Sequence, residues 1–148
     1  MLIGNYPTKL SQNGRTAIPK KLRDQLGDQV IISQGYEQCL IIVPISSWEK
    51  LINSNKPFIL DAARETDRFL LGSAFEAQLD DQGRLIIPNT LKSYAQLETD
   101  IIFIGVGNRV EIWAQTRWNE YQNYLNKNSS QIAKRLISQE HQINEPNS

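Results

Sequence analysis

The sequence predicts an α+β fold, mainly a small β barrel with short helices, built from two tandem pseudo-symmetric repeats. Three observations carry that prediction. First, GRTAIPKKLR at Gly14–Arg23 returns as GRLIIPNTLK at Gly83–Lys92. Gly14, Arg15, Ile18, Pro19 and Leu22 recur as Gly83, Arg84, Ile87, Pro88 and Leu91, an offset of 69. Second, the likeness continues at an offset of 70. Ile31-Ile32 matches Ile101-Ile102, Gly35 matches Gly105, Ile42 matches Ile112, and Trp48 matches Trp118. One extra residue is therefore expected between helix and strand in the second copy. Third, apolar residues alternate on either side of each turn glycine and then switch to helical spacing. Two copies are too few for a solenoid or propeller.

Each element follows from local chemistry. Tyr6, Thr8 and Leu10 alternate with Pro7 and Lys9, the pattern of a half-buried strand. Asn13-Gly14 is a tight-turn signal, because both residues tolerate positive φ. Arg15 to Ile18 returns as a second strand, and Ile18 is pushed toward extended backbone by the proline after it. Pro19 suits the first helical position, where a missing N–H costs nothing. Lys20 to Leu26 is then a short helix that stops at Gly27. Val30–Ile32 and Cys39–Val43 read as strands with a turn at Gly35, and Ser46 or Ser47 can cap a helix carrying Trp48 and Leu51.

The second copy repeats the order. Phe75, Ala77 and Leu79 alternate, Gln82-Gly83 turns the chain, and Arg84–Ile87 returns. Pro88 opens a helix through Ala95, and strands follow at Ile101–Ile104 and Val110–Trp113. A helix from about Thr116 carries Trp118, Tyr121 and Leu125. Between the copies, Phe58–Phe69 reads as helical. The tail from Asn126 is polar, with an amphipathic piece at Ile132, Ala133 and Leu136 and disorder expected beyond about Gln139. The resulting organisation is repeat one at 5–47, a linking helix at 48–74, repeat two at 75–118, and a C-terminal helix with polar tail at 119–148. A unit of this size cannot bury enough surface alone. The two are expected to interlock about a pseudo-two-fold axis and share one core.

Composition narrows the function. Sixteen basic residues balance sixteen acidic ones across 148 positions, which taken alone argues against a nucleic-acid partner. The distribution argues the other way. Residues 1–28 carry Lys9, Arg15, Lys20, Lys21 and Arg23 against Asp24 and Asp28. Residues 76–98 carry Arg84 and Lys92 against Glu76, Asp80, Asp81 and Glu98. No apolar run has the length of a membrane span. The N-terminus lacks the basic start and apolar stretch of a secretory signal. The single cysteine, Cys39, fits a reducing compartment, so a cytoplasmic protein is expected.

An Arg after a turn glycine sits at a hairpin tip, where its ordinary fate is a solvated surface. Its neighbours argue for more. Lys20 and Lys21 lie in the first turn of a helix, where cations are mildly unfavourable for stability and favourable for an anion. Arg23 extends the patch. Lys9, Arg15, Lys20, Lys21 and Arg23 are therefore the candidate contacts to double-stranded DNA, with Gly14 and Gly83 as structural turns. Asp80 and Arg84 hold the equivalent place in the second copy, which is expected to complete the fold or meet partner subunits. Other chemistry is thin. His141 is alone in the tail, Cys39 reads as packing, and no Cys/His cluster or Gly-rich phosphate loop suggests a metal or cofactor. GVG at Gly105–Gly107 reads as a strand bend. Trp48 and Trp118 read as core, and Arg64 and Arg68 as a solvated face or, failing that, a subunit contact.

The paired G-R-x-x-I-P-x-x-L-[KR] motifs, GVGNRVEIW at Gly105–Trp113 and ARETDRFLLGSAFEA at Ala63–Ala77 resemble the MraZ family. The resemblance runs from Met1 to about Leu136. It implies a swapped-hairpin, double-psi, AbrB/SpoVT-like barrel and a DNA-binding regulator of the division and cell-wall gene cluster. It further implies action on short direct promoter repeats, a homo-oligomeric ring, and a place at the nucleoid. The family pattern D-x-x-x-R at each turn is present as Asp80–Arg84, whereas the first turn has Ser11 before Arg15. A ring of weak contacts gains avidity, which reconciles DNA binding with zero net charge. The alternative is an oligomeric scaffold or antitoxin-like partner binder. A small hydrolase lacks any convincing nucleophile or base.

Overall fold

The computed structural model describes residues 1–54 and 61–144, with side chains described for residues 1–50 and 64–140. The first copy supplies β1 (Leu2–Lys9), β2 (Arg15–Ala17), α1 (Lys20–Leu26), β3 (Gln29–Gln34), β4 (Leu40–Pro44) and α2 (Ile45–Ser54). After α3 (Asp61–Leu70), the second supplies β5 (Phe75–Gln78), β6 (Arg84–Ile86), α4 (Asn89–Tyr94), β7 (Asp100–Gly107), β8 (Val110–Ala114) and α5 (Gln115–Lys127). α6 (Ser129–Asn144) follows. One compact unit spans Met1–Gln115, and a second begins at Thr116.

The first strand of each copy is given away to the other copy. β1 pairs with β7, and β5 pairs with β3, both antiparallel. The six strands run β1-β7-β8-β4-β3-β5, and β2 and β6 form a separate two-stranded ribbon. Hydrogen bonding does not close the sheet into a barrel; β1 and β5 remain its edges. The pairing is two-fold about its middle. Leu40 faces Ile112, Ile41 faces Glu111 and Ile42 faces Val110. In the ribbon, Arg15 faces Ile86, Thr16 faces Leu85 and Ala17 faces Arg84. The pseudo-axis therefore passes through Ile41–Glu111 and Thr16–Leu85.

One core joins both copies. Val30, Ile32, Leu40 and Ile42 meet Ile101, Phe103, Val110 and Ile112, with Leu22 from α1, Leu91 from α4 and Leu85 from the ribbon. The pre-proline isoleucines Ile18 and Ile87 are each 1% exposed within it. Truncating either to Ala is expected to cost about 2–5 kcal/mol. On the other sheet face, Ile31 and Val43 pack with Trp48 in a smaller cluster.

Several local expectations shift by a residue or two. Lys9 pairs with Asp100 as Gln78 pairs with Gln29, so β3 and β7 correspond at an offset of 71 (29 to 100). The second copy has thus gained two residues after its helix, not one, and Gly35 is not the counterpart of Gly105. A β7–β8 turn one residue shorter restores the offset of 70 at β4 and β8. Runs of isoleucine hide such slips, because neighbouring positions look alike. Pro19 and Pro88 sit at the N-caps with extended ψ of 138° and 148°, one residue outside their helices. Ser46 and Ser47 lie inside α2, which starts at Ile45. The expected Phe58–Phe69 helix is seen from Asp61, and its earlier part lies outside the described residues. Trp118 is only half-buried, in contact with Tyr121, whereas Trp113 is 2% exposed. The tail is helical to Asn144, rich in the good helix formers Ala133, Lys134, Arg135 and Leu136.

Candidate nucleic-acid interface

The two glycine–arginine turns share one backbone design. In the first, Ser11 N–H donates to Arg15 O at 2.9 Å and Gly14 N–H to Ser11 O at 2.9 Å. In the second, Asp80 N–H donates to Arg84 O at 3.1 Å and Gly83 N–H to Asp80 O at 2.9 Å. Gly14 and Gly83 have φ of +79° and +74°, where a Cβ is strained. Each turn is then gripped by the other copy: Ile87 N–H donates to Gly14 O at 2.7 Å and Ile18 N–H to Gly83 O at 3.0 Å. The pre-proline residues thus place each helix beside the turn of the opposite repeat.

This exchange rearranges the candidate residues. Arg23 lies beside the Asp80–Arg84 turn of the other copy. A Cβ on Gly83 would collide with the Arg23 guanidinium. Lys92, which the sequence reading left without a role, fills the equivalent place on the first turn. Its Cδ lies 3.4 Å from where a Gly14 Cβ would sit, and its Nζ donates to Gln12 O at 3.5 Å. Each turn therefore receives one cation from the opposite copy's helix, Arg23 at the second turn and Lys92 at the first. The swapped-hairpin expectation implies an exchange between the copies, but which cation meets which turn depends on how each hairpin packs.

The arginines themselves differ. Ser11 Oγ accepts the Arg15 backbone N–H at 3.0 Å, as Asp80 Oδ1 accepts that of Arg84 at 2.9 Å. Only Asp80 has a second oxygen, and Oδ2 takes Arg84 Nε at 2.8 Å. The Arg84 N–H, then the Arg84 guanidinium, hold the Asp80 carboxyl below its ordinary value. Arg15 is exposed, and its guanidinium has no hydrogen-bond partner among the described residues. Lys9 is placed otherwise than expected: its ammonium pairs with the Asp100 carboxylate across β1–β7, and both side chains are well exposed.

The GVGNRVEIW stretch forms the end of β7, a turn and β8. Glu111 Oε2 accepts from Arg109 Nη2 at 3.1 Å, and Oε1 accepts from Trp113 Nε1 at 3.0 Å. Val110 and Ile112 between them are fully buried. Cys39 is 0% exposed, and burial, with Glu111 nearby, pushes its thiol up, away from the reactive thiolate. Among the described residues there is no cluster of His, Cys, Asp or Glu suited to a metal, and no helix long and apolar enough to cross a membrane.

A family model described as "MraZ protein, putative antitoxin-like" matches residues 1–69 and again residues 70–140. The chain belongs to the MraZ family. Among curated relatives, the transcriptional regulator MraZ of Thermoanaerobacter pseudethanolicus is 38% identical over 138 residues, 92% of this chain and 96% of that one. That of Natranaerobius thermophilus is 36% identical over 139 residues, covering 93% and 97%. Among solved structures, the solution structure of PHS018 from Pyrococcus horikoshii is 18% identical with a TM-score of 0.30, covering 76% of this chain and 88% of that one. A likeness that slight carries no weight beside the repeat match. The two family segments meet at residues 69 and 70, within α3.

Proposed function

We propose that this chain is a sequence-specific DNA-binding transcriptional regulator, a repressor of the division and cell-wall gene cluster. It engages short direct repeats of the promoter as a ring-like homo-oligomer and works in the cytoplasm at the nucleoid. The relatives' shared name supports the regulatory reading and is not that of an enzyme. The observation that carries DNA contact is the Arg15 guanidinium, exposed and unpartnered, at a turn locked by the opposite copy. Such an arginine is suited to a guanine edge, and Lys20, Lys21, Arg23 and Lys92 to phosphates. Lys9, already paired with Asp100, contributes least.

The test is DNA binding as a function of salt, with a duplex carrying the promoter of the chain's own gene. Losing Lys20 or Lys21 is expected to reduce the salt slope by about 1 each. Unchanged slopes in both variants would count against the reading. The antitoxin-like description of the family favours one second reading, an antitoxin-like partner binder. An intact oligomer with no salt-dependent affinity for any duplex would select it.

A further inference from the structure

The ribbon of β2 and β6 has a buried face and an open one. Thr16 and Leu85 point inward at 4% and 3% exposure. Side chains of directly facing residues in an antiparallel pair share a face. Arg15, Ala17, Arg84 and Ile86 therefore all point outward, in the facing pairs Arg15–Ile86 and Ala17–Arg84. Ile86 is 57% exposed. A single exposed apolar residue is ordinary on a protein surface. This one adjoins the pseudo-axis between two arginines, with Arg23 over one tip and Lys92 over the other.

Resting on the DNA-binding reading above, we propose that the open ribbon face reads base edges in the major groove, with Ile86 as the contact to a thymine methyl. A two-stranded ribbon fits the major groove, where thymine alone presents a methyl group. Arg15 and Arg84 are diagonal neighbours, about 7–8 Å apart at the backbone, close to two base-pair rises. The cations at both tips complement the phosphates on either side. The ribbon is also unequal across its axis. Ile86 corresponds to Ala17, and the tethered Arg84 corresponds to the untethered Arg15. A symmetric reader matches a palindrome, whereas an unequal one reads in a single direction. Ile86 is thus a specificity-determining residue.

The experiment uses the full chain and its promoter duplex, with each thymine replaced in turn by deoxyuridine, which lacks only the methyl group. Wild type is expected to bind about fourfold more weakly at one or more positions, the effect of one lost methyl contact. Ile86→Ala, which puts alanine at both equivalent positions of the ribbon, should lose that discrimination and keep its salt slope and thermal stability. Retained discrimination in Ile86→Ala overturns the proposal. So does a wild type indifferent to every replacement, or an Ile86→Ala variant altered in native mass with DNA recognition intact, which would mark a subunit contact. Arg15→Ala binding as tightly as wild type would instead sink the DNA-binding reading itself.

Discussion

The turns at Ser11–Arg15 and Asp80–Arg84 have the same backbone and different chemistry. Ser11 performs one of the three tasks of Asp80, which accepts the Gln82 N–H, the Arg84 N–H and the Arg84 guanidinium. Its hydroxyl accepts the arginine N–H and so keeps the turn closed. It has no second oxygen to hold the guanidinium, and it brings no charge. The hairpin therefore survives the loss of the carboxylate while the arginine is released. Backbone shape and side-chain aim are separable at this turn, and only the first is needed for folding.

The largest expected effect is on binding. Arg15→Ala should weaken promoter affinity by about 1–3 kcal/mol, the worth of a good guanine contact, in a titration at fixed salt. Next come the turn glycines, read by chemical denaturation. Gly14→Ala places a Cβ 2.7 Å from the backbone oxygen of Ile87, which cannot move without breaking the opposite copy's grip. A loss of about 1–3 kcal/mol is expected. Gly83→Ala should cost less, because the atoms in its way belong to the flexible Arg23 side chain. An equal cost would mean that φ alone governs both sites.

Much of this architecture was legible in the residues. The repeated Gly-Arg turns, the Ile-Pro steps and the alternating strands each reflect a local backbone preference. What stayed hidden was tertiary. Arg23 follows Arg15 in the chain, yet the pre-proline extension carries it to the other copy's turn. Lys92 is the reverse case, and Ile86 becomes notable only once its facing pair with Arg15 is known. The slip to an offset of 71 was masked because Val30, Ile31 and Ile32 are interchangeable in pattern.

Smaller effects sharpen the contrast between turns. Ser11→Asp should tether Arg15 and add a negative charge, weakening DNA binding by about 1 kcal/mol, roughly fivefold, in the same titration. The weakest effect is acid dependence. Asp80's folded value is lowered, so its contribution is complete above the ordinary carboxylate value of about 3.9 and is lost as pH falls through the folded value. Asp80→Ser should flatten that part of a stability profile taken between pH 5 and pH 2, and Ser11→Asp should steepen it. The same profile in both variants would contradict the assignment.

The inequality of the two arginines is best met by titrating one promoter duplex, at one salt concentration, with Arg15→Ala and Arg84→Ala side by side. A severalfold larger loss in Arg15→Ala is the expected result. Equal losses, or recognition abolished by Arg84→Ala and spared by Arg15→Ala, would show that freeing the first guanidinium from a carboxylate does not matter to DNA.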